Sequence, residues 1–237
     1  GRLDRKPDIT DAFVDSVIAK KPSKDAERIP SAPHFSDWIR SKFPAVSGEI
    51  RTEISDNLAK QITYILESEI ANIDRDGNYN GAVVVFEIQD DGPFILRALV
   101  GSRDFFDPQA GQVNGALAVR TAGSTLKPFV YGLAMEKNIL RPNTIVHDEE
   151  STFETSRRGE TYRPRNYDMN FWGDMTAREA LASSRNIPAV QILENAGEAE
   201  FFDLLANLDM KPAIEDPDQY GGGLALGTGG STLFDLT

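Results

Sequence analysis

Ala122-Gly123-Ser124-Thr125-Leu126-Lys127-Pro128-Phe129 is the stretch around which the rest of the chain is organised. Val130, Leu133, Ala134 and Met135 come after it and suit a helix. Glycine stands just before the serine, and proline falls in the first turn of that helix. Both placements fit a loop-to-helix junction, because early helical positions need no backbone donor. Ser124 and Lys127 are three apart, so a helix puts them on one face. A hydroxyl then lies beside an amine. A serine alkoxide is hard to form at neutral pH, and an amine of lowered pKa can take its proton. Burial and positive neighbours are what lower it. Alone the pair decides little: about one Ser-x-x-Lys arises by chance in a chain this long, and a lone serine there reads as a helix cap.

Composition narrows the field. A chain of 237 residues suits one large domain or one and a half, and 40% hydrophobic residues can form a core. The net charge of −12 and the lack of a basic stripe argue against nucleic acid as a partner. There is no cysteine, which excludes disulfides, thiolate catalysis and Cys-ligated zinc. His34 and His147 are the only histidines, so a histidine-rich metal site or a Ser-His-Asp triad has little to draw on. No apolar run approaches a membrane span and no signal peptide opens the chain. The opening Gly1-Arg2, without methionine, suggests a fragment.

Along the chain, residues 1–52 look like a connecting region. Thr10 caps a short helix to Ile18, and Lys20 to Pro33 is polar and proline-containing, as linkers are. His34 to Ile39 reads as a second short helix, stopped before Pro44. The clearest helix is the next one: Ser55 caps it, and Leu58, Ile62, Ile65, Leu66, Ile70 and Ile73 recur at helical spacing up to Asp76-Gly77. Gly81 to Ile88 and Phe94 to Val100 form a hairpin around Asp90-Asp91-Gly92-Pro93. Both arms are apolar along most of their length, so both faces are expected to be covered. Residues 101–122 carry loop signals, and 141–175 look irregular. Thr176-Ala177-Arg178-Glu179 is a capping box. Ser183-Ser184-Arg185-Asn186 interrupts that helix, Pro188 opens another that Gly197 closes, and Glu198 to Leu208 is one more. Residues 221–230 hold six glycines.

Asn186 lies two residues after Ser184, at the tight break between two helices. A hydroxyl and an amide there could face the cleft of Ser124 and Lys127. The hydroxyl could relay a proton to a leaving amine, and the amide could hold a substrate carbonyl or the lysine. The bland reading is that both satisfy helix ends. Ser55-Asp56-Asn57 has the same pattern, but it opens a long amphipathic helix and is read as a cap.

Together these segments resemble class A penicillin-binding proteins. The family's Ser-x-x-Lys and Ser-x-Asn motifs stand in order at Ser124–Lys127 and Ser184–Asn186. The surrounding sequence carries the likeness further: Val100 to Asp107, Gly111 to Asn114, Arg120 to Phe129, Tyr162 to Asp168, and Ser184 to Val190. Ala32-Pro33-His34-Phe35 and Phe105-Phe106-Asp107 look most like the 1C branch. The resemblance covers roughly residues 30 to 237.

It implies an α/β (α+β) serine β-lactamase/transpeptidase-like fold, an antiparallel sheet flanked by helices and only partly present here. Residues 1–52 would be the linker and tail of a preceding glycosyltransferase domain, and 53–237 the N-terminal portion of the transpeptidase domain. The implied activity is D,D-transpeptidation of peptidoglycan stem peptides ending in D-Ala-D-Ala, with β-lactam antibiotics as inhibitors. Ser124 would be the nucleophile, Lys127 the base, Ser184 the proton relay and Asn186 the substrate holder. No metal or cofactor is implied. The full-length protein would be membrane-anchored, working on the outer, periplasmic face of the cytoplasmic membrane. Same-fold alternatives are a D,D-carboxypeptidase or β-lactamase-like hydrolase; a non-catalytic wall-binding or sensor domain is a third. One departure stands out: there is no Lys-Thr-Gly or Lys-Ser-Gly, and Gly227-Thr228-Gly229-Gly230 lacks the lysine. The chain is therefore expected to stop before the family's third motif, and to be silent without the C-terminal remainder.

Overall fold

The computed structural model describes residues 19–20, 32–73, 79–154, 161–210 and 220–237. The chain divides into two compact units, Gly1–Ala118 with Thr232–Thr237, and Val119–Ser231.

In the first unit, β1 (Ala19–Lys20) pairs antiparallel with β2 (Glu49–Ile50). Helix α1 (Pro33–Lys42) opens on a proline, whose missing N–H costs nothing at a first turn, and ends with Arg40 and Lys42 near its carbonyl end. Phe35 and Ile39, four apart, form its buried face. Helix α2 (Asp56–Ile73) begins where Ser55 Oγ accepts from the Leu58 N–H at 3.3 Å. Ser55-Asp56-Asn57 is thus a cap, as its place before a long helix implies. The hairpin is β3 (Val83–Glu87) against β4 (Ile95–Val100), Val83 opposite Val100, with a register shift between Val85 and Phe86. Ala98, Leu99 and Val100 on β4 are buried, whereas Val83 to Phe86 stay half-buried, so the expectation of two covered faces holds for β4 only.

Phe35, Ile39, Ala59, Leu96, Leu99 and Ala116 make one core. Residues before 53 therefore pack with residues after it. Phe234 closes this core, 5.1 Å from the Trp38 ring and 5.4 Å from Phe86, on a final turn that Thr232 caps. Each ring or large aliphatic group taken from water contributes about 2 kcal/mol. The expected helix to Ile18, the Asp76-Gly77 stop and residues 21–31 of the linker lie outside the described residues.

The second unit is built on the Gly123–Pro128 junction. Gly123–Leu126 forms a 3-10 turn that runs into α3 (Lys127–Glu136). Val130, Tyr131, Leu133 and Ala134 bury one side of it. The described residues of 141–175 are more regular than their sequence suggests. β5 (Ile145–Asp148) pairs with β8 (Gly173–Thr176), and β6 (Phe153–Glu154) with β7 (Thr161–Tyr162), all antiparallel. These strands have four and two residues, too few for an alternation to register, and β5 carries polar His147 and Asp148.

Helix α4 (Ala177–Ala182) starts on the full capping box: Thr176 Oγ1 accepts from the Glu179 N–H at 3.3 Å, and the Glu179 carboxylate accepts from the Thr176 N–H at 2.9 Å. Helix α5 (Asn186–Ala196) buries Ile187, Ala189, Val190 and Leu193 and ends at Gly197 with φ 101°. Helix α6 (Glu198–Asn207) comes next and buries Phe201 and Leu205. The glycine-rich Gly221–Leu226 forms a 3-10 turn packed on α5. The class is α+β, with antiparallel strands flanked by helices, as expected; the hairpin is a two-stranded sheet.

Candidate active site

Lys127 opens α3 and is 1% exposed. Its Nζ donates to Ser184 O at 2.6 Å, Asn186 Oδ1 at 2.7 Å and Ser184 Oγ at 3.0 Å. Two of these partners, the carbonyl and the amide oxygen, can only accept. A neutral amine has two N–H groups and one lone pair. In the neutral form, with both hydrogens committed to the obligate acceptors, the lone pair is left for the Ser184 hydroxyl 3.0 Å away. Burial lowers the Lys127 pKa from 10.5 to about 8, helped by the positive charge of Arg185. The neutral form is therefore accessible near neutral pH.

Ser184 reaches this position through unusual backbone. At the end of α4 the Ser184 N–H bonds to Leu181 O and the Arg185 N–H to Ala180 O, and Ser184 takes a left-handed φ of 54°. Glycine usually fills such a site, because a side chain there costs about 1–2 kcal/mol. A serine held there presents its hydroxyl to the lysine. The orientation of Asn186 is fixed too: its Nδ2 donates to Arg165 O at 2.7 Å, which turns Oδ1 toward Lys127.

Ser124 is exposed on the 3-10 turn, where its carbonyl accepts the Lys127 backbone N–H. Among the described residues the hydrogen bonds of Nζ go to Ser184 and Asn186, not to Ser124 Oγ. Of the four residues expected to form the site, three are thus linked directly and the fourth stands one turn away. Catalytic hydrogen bonds are often long before a substrate is in place.

Several supporting residues escaped the sequence reading. Gly227, φ 82°, lies so close to Gly123 that a Cβ on it would overlap the Gly123 backbone. Of the six glycines of 221–230, Gly227 is the one that lets a second segment lie against the turn that carries Ser124. Asp148, fully buried, accepts from Arg185 Nε at 2.8 Å, Asn166 Nδ2 at 2.7 Å and the Trp172 N–H at 3.0 Å. Arg185 also bonds to Asp168 Oδ2 at 3.0 Å and lies 4.4 Å over the Trp172 ring. Only the concentration of Asn and Asp between 166 and 174 could have hinted at this. Tyr131 is buried with no hydrogen-bond partner for its hydroxyl among the described residues. Burial, and the Asp148 charge, raise its pKa, so it stays protonated. His147, Glu149 and Asp174 bring ligand-type atoms within 4.8 Å of one another, but all three are exposed.

Known proteins share this arrangement of segments. Residues 96–227 match the penicillin binding protein transpeptidase domain family. Penicillin-binding protein 1C of Escherichia coli (strain K12) is 31% identical over 206 residues, which cover 86% of this chain and 25% of that protein. The chain thus spans a quarter or less of the length of the curated relatives it matches. The crystal structure of penicillin-binding protein 1A from Haemophilus influenzae superposes with a TM-score of 0.55 at 26% identity, over 66% of this chain and 22% of that one. The transpeptidase domain of penicillin-binding protein 3 from Burkholderia pseudomallei gives 0.59 at 20% identity, over 78% and 55%. The latter likeness speaks to fold alone.

Proposed function

Because this chain belongs to the penicillin-binding protein transpeptidase family, whose members are enzymes acting on peptidoglycan, we propose that it carries the nucleophile half of a serine D,D-transpeptidase site. The observation that supports this most is the buried Lys127 amine, hydrogen-bonded to Ser184 O, Ser184 Oγ and Asn186 Oδ1 one turn from the exposed Ser124.

The neutral Lys127 amine takes the Ser124 Oγ proton. Oγ attacks the penultimate D-Ala carbonyl of a stem peptide and forms a C–O bond. The Ser124 backbone N–H is one donor to the developing oxyanion. The C–N bond to the terminal D-Ala then breaks, and the proton on Lys127 passes through Ser184 Oγ to the leaving nitrogen. An amine of a second stem peptide attacks the acyl-enzyme. Its proton returns along the same path as Ser124 is released, which leaves a cross-link. A β-lactam enters the same first step: its amide opens and the acyl group stays on Ser124.

Residues 53–237 are assigned to the N-terminal portion of this transpeptidase domain, within a larger bifunctional glycosyltransferase/transpeptidase at the outer face of the cytoplasmic membrane. No described helix is long and apolar enough to cross a membrane. Lacking a Lys-Thr-Gly segment for the substrate carboxylate and the second oxyanion donor, these 237 residues alone should be silent, since one missing donor costs roughly a hundredfold or more. The test is intact-mass measurement of the full-length protein and its Ser124→Ala variant after penicillin treatment. One covalent adduct is expected on the wild type and none on the variant; an adduct that persists in the variant contradicts the assignment.

A further inference from the structure

Asn186 is gripped twice by one short segment. Its Nδ2 donates to Arg165 O at 2.7 Å, and its backbone N–H donates to Asn166 Oδ1 at 2.9 Å. The second bond is unusual in origin. Asn186 is the first residue of α5, so its N–H has no partner within the helix. A side chain at the preceding position normally caps such an end, but Arg185 makes no capping bond. The cap comes instead from twenty residues earlier. Asn166 is 3% exposed and its own amide is fully used: Nδ2 donates to Asp148 Oδ1 at 2.7 Å and to Asn170 O at 2.9 Å. The other oxygen of Asp148 accepts from Arg185 Nε at 2.8 Å. One buried carboxylate therefore holds both sides of the Arg185–Asn186 peptide, and Asn186 Oδ1 is left for Lys127.

We propose that Asn166, clamped by Asp148, is a positioning residue that holds Asn186 against Lys127 during acylation of Ser124. The inference rests on the transpeptidase reading above. Asn166 does not itself reach the amine; it acts through Asn186. As a neutral amide it caps the helix without adding a charge beside Lys127. Arg185 is the charged side chain acting on that amine, and Asp148 and Asp168 pair with Arg185. Misplacing a catalytic group by about 1 Å can cost up to a hundredfold in rate.

The experiment is a double-mutant cycle in the full-length protein, read as the first-order acylation rate and the preceding binding constant for a fluorescent penicillin. Asn166→Ala should lower the acylation rate about ten- to a hundredfold with little change in binding. In an Asn186→Ala background the same substitution should cost nothing more, because the residue through which it acts is gone. Additive losses, or a folded Asn166→Ala variant that acylates at the wild-type rate, overturn the proposal. Thermal midpoints accompany every variant, and Asn166→Ser, which keeps a polar group in the site, repeats the cycle if the alanine form does not fold. Failure of both to fold makes Asn166 a folding residue and also overturns the proposal. A wild type that is not acylated at Ser124 fails differently: it removes the transpeptidase reading itself.

Discussion

Lys127 and His34 are both buried bases, and burial weakens both, yet their surroundings set them apart. His34 is 4% exposed, with Nε2 bonded to Gly111 O at 2.9 Å and Phe105 edge-on at 4.9 Å. Burial lowers its pKa, against a smaller upward pull from the Gly111 hydrogen bond and Asp37. Its partners are backbone groups of Gly111 and Val113 and an aromatic ring, as suits a packing histidine. Lys127 has two obligate acceptors and a hydroxyl, and its turn carries an exposed serine. Burial and weak basicity therefore do not mark a catalytic base by themselves. What sets Lys127 apart is its set of partners: two obligate acceptors and the Ser184 hydroxyl, one turn from an exposed serine.

Four substitutions sharpen or break that contrast. Lys127→Ala removes the proposed base and should slow penicillin acylation of the full-length protein by about a thousandfold. A rate near wild type would make Lys127 as structural as His34. Ser184→Gly should slow acylation about a hundredfold through loss of the proposed relay, while raising stability by up to about 1 kcal/mol, because glycine adopts its left-handed backbone freely. Parallel thermal melts and labelling rates check both signs; a drop in both would mean that the hydroxyl is needed for folding. Gly227→Ala should slow acylation roughly tenfold, since its Cβ would displace the Gly123 backbone beside Ser124. The smallest effect on chemistry belongs to His34→Ala. It should lower stability by about 1–3 kcal/mol and leave the acylation rate per folded molecule unchanged. Its pH signature comes from a lowered histidine pKa: the unfolded chain binds the proton first, so stability falls as pH drops below about 6.5, and the alanine variant should lose that dependence.

What the sequence made legible was local. The Ser55 cap, the Thr176–Glu179 box, the Ser183–Asn186 break and the Gly123–Pro128 junction each lie within a few residues, where spacing alone implies geometry. The motif residues Lys127, Ser184 and Asn186 could be named because two short patterns identify them. The supports could not. Asn166 reaches Asp148 across eighteen residues and Asn186 across twenty, through groups that read as ordinary loop polarity. Gly227 matters through a backbone approach to Gly123 that no periodicity encodes. The β5–β8 ladder was missed because it joins two four-residue strands across a long, polar interval. The left-handed Ser184 was hidden because its residue type argues against its conformation.

The most direct test of Lys127 as the base that activates Ser124 is the pH profile of the acylation rate in the full-length protein. With the amine pKa lowered to about 8, the neutral fraction grows with pH up to that value. The rate should rise about tenfold per unit below it and level off above it. A rate flat from about pH 6 to 10, with the adduct still on Ser124, would contradict the account.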